Sequence, residues 1–129
     1  MKKLLMLTSI ILLTGCGNKI VCKTENGPIA QKFEINYKED EIQTIKTTKT
    51  YKFTDKEEFK AYESVIQYTV KADMSENVTT QYKKKNKKYI LIENMNISKM
   101  NDDELKKVSM SRSKTELIEN FENSGLTCK

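Results

Sequence analysis

Polar and apolar positions along this chain follow two rhythms. Between Gln31 and Lys38 they alternate, with Phe33, Ile35 and Tyr37 on one side, which is the period of a strand covered on one face. A polar turn at Glu39-Asp40 leads into a second alternating stretch, Glu41 to Phe53. There Ile45, Thr47, Tyr51 and Phe53 share a side, and the threonines favour extended backbone. Lys19 to Thr24 is a further short strand candidate, separated from the next by the turn residues Glu25-Asn26-Gly27-Pro28. At Thr54-Asp55-Lys56-Glu57 the rhythm changes. A capping box is expected there, with the Thr54 hydroxyl and Glu57 satisfying each other's backbone N–H groups, and it opens a helix to about Lys71. Phe59, Tyr62, Ile66 and Val70 form its single apolar stripe.

The period of two then returns. Glu76 to Lys84 and Lys87 to Ser98 read as a hairpin around Lys85-Asn86, with Tyr89, Leu91, Met95 and Ile97 on one side of the second arm and Ile90 and Ile92 on the other. Asn101 to Glu104 and Ser113 to Glu116 are two more capping boxes. The last helix carries Leu117, Ile118 and Phe121 and should stop at Gly125, a residue suited to the left-handed position after a helix. Strands, helix, strands and helices in this order predict an α+β fold. The expected architecture is an antiparallel sheet of about five strands, one long helix after the third strand, and two C-terminal helices packed on it.

The start of the chain has a different character. Met1-Lys2-Lys3 is followed by an apolar run from Leu4 to Leu13 and then by Thr14-Gly15-Cys16. A charged start, a short apolar run and small residues before a cleavage point describe an export signal. Spanning a bilayer takes about 20 apolar residues, roughly twice this run. Leu13-Thr14-Gly15-Cys16 matches the lipobox of bacterial lipoproteins, which implies a diacylglycerol on Cys16 and removal of residues 1–15. Residues 16–21 would then be a short lipid tether and residues 22–129 a single domain, held at the outer face of the bacterial cell membrane. One acyl chain holds a protein marginally and two hold it firmly.

Composition narrows the chemistry. The chain of 129 residues has no His and no Trp, so Ser-His and Cys-His nucleophile pairs and HExxH zinc sites are excluded. One Pro and four Gly leave no Gly-rich phosphate loop. No cofactor, no metal and no enzymatic activity are expected. Of 23 basic residues only Arg112 is Arg, and without Lys2 and Lys3 the excess over 18 acidic groups is small, which argues against a nucleic-acid partner.

Three features remain as candidate sites. Cys22 and Cys128 are an even pair in an exported chain, for which a disulfide is expected and two free thiols are the alternative. Lys83, Lys84, Lys85, Lys87 and Lys88 crowd the expected hairpin turn. They would either face lipid head groups or anionic wall polymers, or form a solvated turn that keeps strand edges apart. The acidic clusters Glu39-Asp40-Glu41, Glu57-Glu58 and Asp102-Asp103-Glu104 lack calcium-loop spacing, and two of them coincide with turns and helix starts. Six Tyr and four Phe mostly fall on the inward stripes and are expected in the core.

The lipobox, the early Cys22, the segment Lys99-Met100-Asn101-Asp102-Asp103-Glu104-Leu105 and the closing Gly125-Leu126-Thr127-Cys128-Lys129 together resemble small lipoproteins of Gram-positive bacteria, similar to the YehR-like group. That resemblance implies a lipid-anchored domain with a cysteine pair, and it carries over no catalytic residues. The expected role is therefore a binding or interaction module, with an envelope or membrane protein as partner or, alternatively, anionic ligands at the lysine hairpin. Replacing the lipid-bearing thiol, Cys16→Ser, should leave the protein unprocessed or released from membranes. Fractionation that still finds the variant processed and membrane-bound would refute the anchor.

Overall fold

The computed structural model describes residues 18–24 and 29–129. The leader, Cys16 and the turn expected at residues 25–28 lie outside them. Three N-terminal strands, β1 (Asn18–Thr24), β2 (Ile29–Lys38) and β3 (Glu41–Lys52), precede the long helix α1 (Lys56–Asp73). A hairpin follows, β4 (Val78–Lys85) and β5 (Lys88–Met95), then a 3-10 turn at Ile97–Lys99, helices α2 (Asp102–Val108) and α3 (Lys114–Asn123), and a two-residue strand β6 (Thr127–Cys128). The fold is α+β. Its sheet has six strands in the order β4-β5-β3-β2-β1-β6, every neighbouring pair antiparallel. The strand beyond the expected five is β6, too short to show any periodicity of its own. The strand β1 begins at Asn18, one residue before its expected start, and Asn18–Val21, assigned to the tether, belong to the sheet.

All three helices lie on one side of this sheet. The buried residues Cys22, Phe33, Ile35, Ile45 and Met95 sit on cross-strand neighbours that share that side. A bulge extends it: Asn36 faces Thr44 but Tyr37 faces Ile42, leaving Gln43 unopposed. The extra residue turns Ile42, 2% exposed, into the core. Under α1 the packing is aromatic, with Phe59 stacked on Tyr89 at 4.6 Å and Phe53 and Tyr62 close by. Tyr89 is fully buried and its hydroxyl donates to the Phe59 carbonyl. Tyr37 differs from its expected core role: it is half-buried and carries the Lys114 ammonium 4.5 Å above its ring.

Helix ends explain where each element starts. The cap of α1 is Asp55, not Thr54; its carboxylate accepts from the Glu57 N–H at 2.7 Å, and the helix runs two residues past Lys71. The box at Asn101 and Glu104 forms in both directions, at 2.9 and 3.1 Å. Ser113 makes its half of the next box, accepting from the Glu116 N–H at 3.2 Å. Asp40 anchors that helix start from the β2–β3 turn, accepting from the Ser113 hydroxyl and from both the N–H and the hydroxyl of Thr115. These bonds, Thr115 first, hold its carboxyl below the ordinary aspartate range. At the other end of α3, Gly125 takes φ +97°, and the N–H groups of Gly125 and Leu126 return to Glu122 and Phe121, closing the helix as its glycine foretells. The β4–β5 turn is centred on Asn86-Lys87, one residue later than expected, with φ 47° and 61° as a two-residue hairpin demands.

Cys22 and Cys128 are cross-strand neighbours joined by a disulfide. It staples β6 to β1 across a sequence separation of 106 residues. A closed loop of that size should contribute about 2–5 kcal/mol by restricting the unfolded chain. Reduction, or Cys22→Ser with Cys128→Ser, is therefore expected to lower the urea midpoint sharply, and a midpoint unchanged by reductant would show that the staple adds nothing.

Candidate functional site: a cleft on the covered sheet face

The long helix α1 covers the β4–β5 side of the sheet, while α2 and α3 cover the rest from the other end. Between them a cleft of about 660 Å³ opens onto the sheet. Its floor is Phe33, Thr47, Lys49, Glu93 and Met95; the end of α1 (Ala72 to Met74) and the end of α2 (Val108 to Met110) form two walls, with Phe121 beside Phe33 at 4.5 Å. Met74, Met95, Met100 and Met110 all line it, and these are the only methionines after residue 15. Thioether side chains give a wall that reshapes around different apolar groups.

A polar row runs from this floor onto β4. Strand register places Thr47 opposite Glu93, and Glu93 opposite Thr80. Thr47 is 1% and Thr80 6% exposed, yet neither hydroxyl has a hydrogen-bond partner. Each such orphan costs about 1–3 kcal/mol. Between them, burial raises the Glu93 carboxyl above its ordinary value. Asp73, at the end of α1, raises it further by charge and by direct side-chain contact, and Lys49 opposes the shift. Burial and a nearby carboxylate both favour the protonated form of Glu93. The row thus offers hydroxyls and the Glu93 carboxyl to a polar group, and the methionines offer an apolar wall to whatever carries it.

None of these residues was singled out from the sequence, although a signal was present. Tyr89, Leu91, Met95 and Ile97 form a stripe with one gap, and the gap is Glu93. Lys49 interrupts the stripe of Ile45, Thr47 and Tyr51 in the same way, Thr47 being its polar member, and Asp73 follows Val70 at helical spacing. Polar residues on a face destined for the core mark the site.

The lysine run does not act as one cluster. Lys84 points to the covered side, where its ammonium meets Glu63 at 3.2 Å, and the Tyr82 hydroxyl donates to the same carboxylate. Lys84 first and Tyr82 second hold Glu63 below its ordinary value. Lys87 sits in the turn and donates to the Thr54 carbonyl at 3.3 Å. Lys83, Lys85 and Lys88 are exposed on the opposite, uncovered side. The acidic clusters serve the fold: Glu57 and Glu58 lie in the first turn of α1 and Asp102 to Glu104 in that of α2. Among the described residues no three His, Cys, Asp or Glu gather as a metal-binding group, and no helix is long and apolar enough to cross a membrane.

No family model matches this chain, and no curated protein matches it in sequence. Its fold matches that of the E. coli YehR protein, solved by NMR, with a TM-score of 0.67 over 87% of this chain and 90% of that one, at 9% identity. An NMR structure of a protein from Streptococcus pneumoniae TIGR4 matches with a TM-score of 0.51 over 87% and 86%, at 12% identity. At these identities the likeness is one of fold.

Since the folded protein raises the Glu93 carboxyl above its ordinary 4.5, it holds that proton more tightly than the unfolded chain does. Stability from this group is complete below pH 4.5 and is lost as pH rises through the raised value. Glu93→Gln is neutral at every pH, so it should raise the melting temperature at pH 8. At pH 4 the gain should vanish. Thermal melts in which the variant is the less stable protein at pH 8 would contradict the assignment.

Proposed function

We propose that this chain is an extracytoplasmic lipoprotein, anchored through Cys16, whose folded part is a binding module with the sheet-face cleft as its ligand seat. The observation that carries the reading is the row Thr47, Glu93 and Thr80, with two buried hydroxyls left without partners, Thr47 on the floor of an open cleft and Thr80 just beyond Glu93 on the neighbouring strand. A fold that served only its own stability would bury valine at those positions, since Val has the same shape without the unsatisfied group. The ligand that fits is small, with a polar head for the row and an apolar portion against Met95, Met100 and Phe121. Binding, not catalysis, is the role proposed.

The anchor and the domain are close. Gly17 alone separates Cys16 from β1, a reach of under ~10 Å at about 3.3 Å per residue. A partner protein of the envelope is the second reading, supported by Val65 and Tyr68, which α1 exposes at 45% and 75%.

Thr47→Val separates function from stability. It should raise unfolding free energy by about 1 kcal/mol, because an unpaired buried hydroxyl is removed, and weaken ligand binding at least tenfold. Two-dimensional NMR with a fragment collection is the measurement: bound fragments should shift Thr47, Glu93 and Met95, and do so less in the variant. Should no fragment move those resonances, or should Thr47→Val destabilise the protein, the cleft is packing and not a seat.

A further inference from the structure

The uncovered side of the sheet is basic to a degree that the chain as a whole is not. Strand register places Lys85 opposite Lys88 and Lys88 opposite Lys52, three ammonium groups in one row at one end of the sheet. Lys23 lies opposite Lys32 near the other edge. Lys19, Lys46 and Lys83 occupy the same side, and all eight side chains are exposed. Among the described residues the strands place two acids there, Glu34, which holds Lys19 at 2.7 Å, and Glu41, which lies opposite a further lysine, Lys38. Like charges directly opposite one another weaken a sheet, so these rows work against the fold that displays them. The remaining positions are mostly Thr, Asn and Gln, with Ile90 and Ile92 half-buried between them. Acidic groups are gathered on the other side, in the first turns of α1 and α2 and along α3.

We infer that this open face lies flat on the anionic bilayer that holds the anchor, its lysines against lipid phosphates and the cleft facing away from the membrane. The anchor part of the argument rests on the lipoprotein reading; the charge does not. The sheet is about 40 Å long at β3 and about 25 Å wide by strand geometry, so Asn18 and the Lys85–Lys88 turn stand at opposite ends of it. An upright domain would bring only one of those ends to the surface. The Asn18 end carries Glu39, Asp40 and Glu41 against Lys38 and Lys114, which gives an anionic surface no net attraction. Lying flat, the domain brings the whole basic face within a Debye length of the head groups while a one-residue link from Cys16 still reaches.

Lysine footprinting on the anchored, full-length mature protein tests this. The protein is reconstituted in phosphatidylglycerol vesicles or in phosphatidylcholine vesicles and treated with a water-soluble amine-reactive reagent. On phosphatidylglycerol, labelling of Lys32, Lys46, Lys52, Lys83, Lys85 and Lys88 should fall at least fivefold, while Lys56, Lys60 and Lys71 of α1 label as before. The protection should disappear in 0.5 M NaCl, on phosphatidylcholine, and in the variant Lys32→Gln, Lys46→Gln, Lys52→Gln. Equal labelling of both sides on phosphatidylglycerol overturns the inference. Flotation with phosphatidylcholine reports the anchor separately: a protein that floats there without facial protection on phosphatidylglycerol keeps its anchor and loses this orientation. One that floats only with phosphatidylglycerol, with the basic face protected, keeps the orientation and loses the anchor.

Discussion

A sheet with one apolar side must find cover for it, and here the cover comes in two pieces fixed from opposite ends. The α1 helix is bound at its start by Asp55 and seated on Tyr89 and Phe53. The C-terminal helices are held by Asp40 at one end and by the closing of α3 onto β6, stapled to β1, at the other. Each piece is committed to its own contacts, so neither can slide to meet the other. The gap between them is a consequence of that double attachment, and the cleft is the gap.

What lines the gap follows from the same constraint. Positions on β3 and β5 that neither helix block covers are not obliged to be apolar, and there the chain places Thr47, Lys49 and Glu93. Their surroundings remain those of a partly covered sheet: water is scarce enough to raise the Glu93 carboxyl and to leave the Thr47 hydroxyl without a partner. A site of moderate polarity inside an apolar frame is what most small-ligand seats look like. On the other side no helix competes for the surface, and the strands there carry lysine after lysine. One layer of backbone thus separates two chemically different faces.

Much of the architecture was legible because it depends on local spacing. Phe33, Ile35 and Ile45 mark the inner side of their strands, Asn101 and Glu104 mark a helix start, and Gly125 marks a stop, each through neighbours a few positions away. Errors came from two sources, a distant residue that intervened and a choice between adjacent ones. Ile42 joins the core through a bulge that alternation cannot show. Thr54 loses the cap to Asp55 one position on. The second half of the Ser113 box gives way to Asp40, 73 residues away. The strand β6 exists because Cys22 lies beside it. The lysine run looked like one patch, but a strand sends successive side chains to opposite sides, so Lys84 and Lys83 part company.

The amino-acid order alone determined an α+β class, the long helix, the hairpin, the C-terminal helices and the even cysteine pair, because periodicity, capping and turn chemistry act within a few residues. Pairing between distant strands decided the rest: it brought Thr47, Glu93 and Thr80 into one row, set Lys52, Lys88 and Lys85 side by side, and left the cleft between two helix blocks. Those juxtapositions depend on register, and register is settled only when the whole sheet is assembled against its cover.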